Sequence, residues 1–189
     1  MKIIVMYLVF GCLSYIMFKQ PNTTTADILI WNKSKLLTWE NFKGTPDTFS
    51  KYAAVTNCNI ETNFRAKKDT LFIRAVSYMQ SSLSWVKIKS KNANLLKHEQ
   101  VHFDISELYI RKLRQTILST KFAKTQIGNE LNKLTEAYTQ AFKQYGALYD
   151  SETNHSKIKP KQIEWENKIT KELKDLEAYS KTDLKILLK

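Results

Sequence analysis

His98 and His102 stand four residues apart with Glu99 between them, in the run His98-Glu99-Gln100-Val101-His102. On a helix this spacing separates the two imidazoles by about 40° around the axis, so they project side by side. Imidazole nitrogen binds zinc at about 2.0–2.1 Å, and one helix face can supply two such ligands. Glu99 falls on the side of the helix that carries His102. There it can approach a water beside the metal without being a ligand, which is the placement a general base needs. The predicted chemistry is zinc-dependent hydrolysis. A second reading stays open at this point. Val101, Ile105, Leu108 and Leu113 share the same face, so two core histidines with satisfied hydrogen bonds would also account for the pair. Glu99 weighs against that, because a carboxylate buried without a partner is costly. A metal would remove the cost, and so would a lysine or arginine partner.

The chain holds three histidines, and the third, His155, follows the second of three helix-patterned segments. If the first two helices form an antiparallel hairpin, the stretch after the second returns to the start of the first, where His98 and His102 lie. His98, His102 and His155 are therefore the expected zinc ligands, a three-histidine set that leaves a position open for water. Asp150 and Glu152 are the alternatives for the third place. Either could instead orient a ligand histidine through a hydrogen bond. Glu99 is the expected catalytic base, and Tyr149, close to His155 in sequence, is a candidate donor to a developing oxyanion.

The elements that must position these residues change character once along the chain. Short runs rich in β-branched and aromatic residues, at 28–31, 53–60, 70–77 and 82–88, predict strands. Gly44 and Pro46 punctuate a loop over 41–47. After Asn92, apolar residues recur at three- and four-residue spacing over 92–119, 122–148 and 160–182, which predicts three long helices. Pro160 suits the start of the last, and 149–159 reads as a polar loop. Strands first and helices afterwards give an α+β fold. It would be an N-terminal antiparallel sheet packed on a bundle of about three long helices, with the metal motif on a zincin-like first helix.

With 43% hydrophobic and 25% charged residues, the composition is that of a globular chain rather than a disordered one. A length of 189 residues suits one domain, expected over 27–189. Residues 1–20 stand apart, since Met1-Lys2 precedes an uncharged apolar run over 3–18. Three readings fit that run: a cleaved signal peptide, a retained membrane anchor through residues 3–18, or a lipoprotein signal with Cys12 as its acceptor. All three predict export to the periplasm, the cell envelope or the medium. Cleavage would leave Cys58 alone, excluding an intramolecular disulfide and predicting a small buried hydrophobe. The formal charge of +12 raises nucleic acid as a partner. The lysines are scattered, however, and interleave with Glu164, Glu166, Glu172, Asp175 and Glu177. Solvated lysine-rich faces account for them, so no nucleic-acid partner is expected. A peptide or protein substrate is.

Four blocks together resemble a bacterial family. The first is Leu95 to Ile105 around the histidine pair, continued by Glu107-Leu108-Tyr109 and Arg111-Lys112-Leu113. The others are Leu37 to Asp47, Tyr149-Asp150-Ser151-Glu152-Thr153-Asn154-His155, and Gln162-Ile163-Glu164-Trp165. The family is domain of unknown function 922, described by prediction as secreted zinc-dependent proteases, a description that rests on the same motif. The resemblance implies an exported metallopeptidase-like domain, with His98, Glu99 and His102 in the motif and His155 as third ligand. A rival from another class remains. It is a zinc-stabilised envelope binding module, in which protein fills the fourth coordination position and nothing is turned over.

Overall fold

A computed structural model describes residues 27–188. The apolar run over 3–18, Cys12 and the readings attached to them lie outside the described residues. Among the described residues no helix is long and apolar enough to cross a membrane.

In chain order the elements are β1 (Ile28–Ile30), β2 (Ala54–Val55), β3 (Cys58–Lys67), β4 (Thr70–Gln80), β5 (Trp85–Val86), α1 (Ala93–Ser119), α2 (Ile127–Thr153), α3 (Lys159–Asp175) and β6 (Asp183–Leu187). The architecture is α+β, an antiparallel sheet against three long helices. β4 is the central strand. β3 pairs along one edge, while β6 and β1 share the other, opposite 70–74 and 78–80 respectively. Leu71, Ile73, Ala75, Ser77 and Met79 alternate along β4 and are all buried, as a strand with one face against helices requires. β2 and β5 form a separate two-stranded ribbon.

α1 runs through the middle of the molecule. The Asn92 side chain accepts the Leu95 amide at 2.9 Å and caps its first turn, satisfying a donor that no preceding carbonyl reaches. Towards its C-terminal end Ile110, Leu113 and Ile117 are fully buried against the sheet and α2. Each contributes about 1.5–3 kcal/mol relative to exposure. Val101, Ile105 and Leu108 pack with Phe142, Tyr149, Trp165 and Ile169 of the other two helices.

Three sequence expectations need correction. The second helix continues past 148 to Thr153, so Tyr149, Asp150 and Glu152 are helical rather than in a loop. Its buried residues Phe142, Gly146, Tyr149 and Thr153 keep the 3–4 spacing, and the helical stripe does not end until Asn154 turns left-handed. The third helix stops at Asp175 rather than 182. Leu184, buried in β6, then pairs with Ile73 of β4, so a C-terminal strand is added to the N-terminal sheet. The strand read over 53–60 divides at Thr56 and Asn57, one part joining the ribbon and the other the sheet. Pro160 does lie in the first turn of α3.

Gly44 docks the 41–47 loop on the turn before β5. Its amide donates to Ser84 O at 2.8 Å. A Cβ there would lie 2.7 Å from Ser82 O and 2.9 Å from Ser84 O, a clash with main chain that only glycine avoids.

Candidate metal centre

α1 and the end of α2 build the site. His98 Nε2 and His102 Nε2 each lie 3.0 Å from Asp150 Oδ1, and His155 Nδ1 lies 3.2 Å from the same oxygen. The rings of His98 and His102 are nearly perpendicular, at 86°. His98, His102 and Asp150 form a group whose ligand atoms are close enough together to hold one metal ion. Donor chemistry agrees: two imidazoles and a carboxylate suit a borderline-soft divalent ion. Ligands about 2.0–2.1 Å from a tetrahedral ion would lie about 3.3 Å apart, near the spacings found here. The identity of an ion does not follow from them.

Burial works to lower the pKa of His102, but its hydrogen bond to Asp150 and that residue's charge prevail and raise it. In His98 burial prevails over the same pull and the pKa falls. Burial would raise the pKa of Asp150, yet the bonds from His102 and His98 hold it far below the usual carboxylate range. Asp150 is therefore the fixed negative charge of the site.

Glu99, 3% exposed, lines the same 290 Å³ cavity as the histidines. Its Oε2 accepts the Thr56 hydroxyl at 2.5 Å. The buried-carboxylate cost is thus met in part by a hydroxyl, with no lysine or arginine partner among the described residues. Thr56 carried no signal in the sequence: it lies 43 residues before Glu99, in a stretch that reads only as strand.

His155 occupies unusual backbone. Asn154, His155 and Ser156 have φ of 45°, 50° and 72°, three successive left-handed residues without a glycine, each costing about 1–2 kcal/mol. Three tethers hold the turn. The His155 amide donates to Asp150 O at 3.0 Å, Asn94 Nδ2 donates to Ser156 O at 2.9 Å, and Gln162 Nε2 donates to Asn94 O at 3.0 Å. The result brings the His155 ring over Asp150 and against Tyr52, 5.0 Å away between centroids. Backbone strain of this kind persists where surrounding structure over-determines it, commonly at working sites.

Tyr149 lies behind the histidines. It is fully buried, stacks on His98 with centroids 4.5 Å apart, and is not among the cavity-lining residues. Burial holds its phenol protonated, with the pKa pushed far up. Glu152, an alternative ligand, is engaged elsewhere, accepting Trp165 Nε1 at 2.8 Å. Tyr149 Oη, His98 Nδ1 and Gln162 Oε1 are buried without hydrogen-bond partners. Three of the four such atoms among the described residues lie at this end of the molecule, the fourth being Glu130 Oε2 near the start of α2, and buried polar atoms of this kind call for a partner.

An α+β chain with a partly buried His-His-Asp group, its histidines spaced as in H-E-x-x-H and opening on a cavity, is thus the class that fold and site define. Residues 74–156 match the family model described as bacterial protein of unknown function (DUF922). The match runs from β4 to the end of the left-handed turn and includes every residue that meets Asp150. No curated protein and no solved structure matches the chain.

Proposed function

We propose that the chain is an exported zinc-dependent hydrolase of peptide bonds. The observation that carries this reading is the convergence of His98 Nε2 and His102 Nε2 on Asp150 Oδ1, each at 3.0 Å, beside a cavity that Glu99 also lines. His98, His102 and Asp150 would hold the ion. When bound, zinc supplies a Lewis acid that polarises a carbonyl and makes water a nucleophile near neutral pH. Glu99 takes a proton from the attacking water and passes it to the leaving nitrogen as the C–N bond breaks. Thr56 holds one oxygen of Glu99 and so aims the other. His155, on the cavity wall, steadies Asp150 rather than serving as the third ligand. Tyr149 fixes the plane of the His98 ring, a positioning role in place of oxyanion donor. The apolar run over 3–18 supports export.

The binding-module reading keeps one observation in its favour. With His155 Nδ1 only 3.2 Å from Asp150 Oδ1, four protein groups gather at one point, and four protein ligands would close the site. Elemental analysis of the chain and its variants, with cleavage of unfolded casein, decides between the two. The hydrolase binds about one zinc per chain, keeps it in Glu99→Gln and loses it in His102→Ala, and both variants stop cleaving. Zinc without cleavage, lost on His155→Ala, would establish the binding module. A chain that takes up no zinc would end both readings.

A further inference from the structure

β2 borders the cavity that holds His98 and Glu99, and its hydrogen bonding is one-sided. Ala54 pairs opposite Val86 and Val55 opposite Trp85, and the Lys87 amide donates to Ala53 O at 2.9 Å. In an antiparallel ladder the residues that bond the partner strand alternate with those that do not. Ala53 and Val55 therefore bond β5, and the N–H and C=O of Ala54 point the other way. Among the described residues nothing pairs with either group. The methyl of Ala54 belongs to the core with Leu37, Met79 and Val86, so what Ala54 offers the cavity is its main chain. Two residues on, the Thr56 hydroxyl reaches Glu99 at 2.5 Å, which ties this edge to the proposed base.

From this geometry we infer that the substrate is a polypeptide taken in extended form, its backbone paired to the Ala54 edge of β2. The inference rests on the hydrolytic reading above and narrows its substrate class. A free strand edge recognises the repeated N–H and C=O of another extended chain. An isolated amide on a sugar or an acylated side chain lacks that repeat. Proteins normally cover or shorten such edges, because they attract other strands. This one is two residues long and sits beside the site, so it accepts a short segment without inviting sheet growth. Tyr52, packed on His155 with ring centroids 5.0 Å apart, flanks the same cavity and offers an aromatic wall to a substrate side chain.

The test is backbone amide exchange, followed by NMR on the zinc-loaded full-length chain, with two probes. Acetohydroxamate carries only a metal-binding head, whereas acetyl-Ala-Leu-Ala hydroxamate adds a peptide backbone. The tripeptide should slow exchange of the Ala54 amide by about tenfold or more, while acetohydroxamate leaves it unchanged. The Val55 amide, already bonded to Trp85, is the internal reference and stays slow throughout. If the tripeptide displaces acetohydroxamate yet Ala54 exchange does not change, the paired-strand inference is wrong and the hydrolytic reading stands. If neither hydroxamate binds the zinc-loaded protein, the metal is closed to substrate, and the hydrolytic reading falls together with the inference.

Discussion

Two clusters of ionisable side chains lie on α1 only a few turns apart, and they are finished differently. At the C-terminal cluster Glu107, Arg111 and Arg114 are all at most 3% exposed. Glu107 accepts Arg111 Nε at 3.0 Å and Arg114 Nη1 at 2.9 Å through one oxygen, and the Ser77 hydroxyl at 2.7 Å through the other. Arg114 also donates to the carbonyls of Ala75, Tyr179 and Ser180, and Arg111 to that of Leu173. This cluster pins the segment after α3 to the helix and the sheet, and leaves none of these atoms orphaned. At the N-terminal cluster three histidine nitrogens share one carboxylate oxygen, a cavity opens beside them, and buried polar atoms go unpaired. Buried charge is retained in the first because every group has a partner. In the second, two imidazoles and a carboxylate converge on one point beside a cavity, an arrangement that can hold a ligand.

The contrast can be broken experimentally, most severely at the saturated cluster. Arg114→Met should leave Glu107 short of a partner and lower stability by about 3–5 kcal/mol, read from urea unfolding, while the fraction still folded takes up added zinc as the unaltered chain does. A loss below about 1 kcal/mol would mean that the cluster is not what holds α1 to the C-terminal segment.

Asp150→Asn should reverse the pattern. Zinc affinity falls by about 100-fold, measured by competition with a chromophoric chelator, and metal-free stability falls by about 1.5–3 kcal/mol, less than for Arg114→Met. Equal zinc affinity would remove Asp150 from the ligand set.

The effect of pH on zinc is gentler. Histidine ligates only when neutral, and Asp150 raises the pKa of His102. Protons therefore compete on His102 at a higher pH than on an ordinary imidazole of about 6.5. The apparent affinity for zinc, measured by chelator competition across pH, should begin to weaken on acidification before pH reaches that value. In Asp150→Asn this competition should shift to lower pH.

The smallest effect is chemical. Burial first, and then the charges of Glu99 and Asp104, push the Cys58 thiol well above its ordinary pKa. Iodoacetamide should label it slowly at pH 8 in the folded protein and rapidly in urea. Fast labelling of the folded chain would show an open path between β3 and α1.

Much of the site was legible because it is local. His98, Glu99 and His102 share one helix, and helical period alone sets their relative directions. The order of strands and helices likewise followed from a change of hydrophobic period at Asn92. What escaped were contacts between distant segments, such as Thr56 with Glu99 and Gln162 with Asn94. The arginines of the buried cluster escaped too, since a charged residue on a helix reads by default as solvated.

The sequence by itself therefore determined the α+β class, the helix that carries the histidine pair, and a third histidine returning to the same end. Only the tertiary structure decided that Asp150 is the point on which all three histidines converge, and that Ala54 turns an unpaired edge towards them. The reason is geometric. Period fixes directions within one element, whereas the meeting of α1, α2 and β2 depends on packing, on where α2 ends, and on a left-handed turn whose first residue, Asn154, is of a type that favours it.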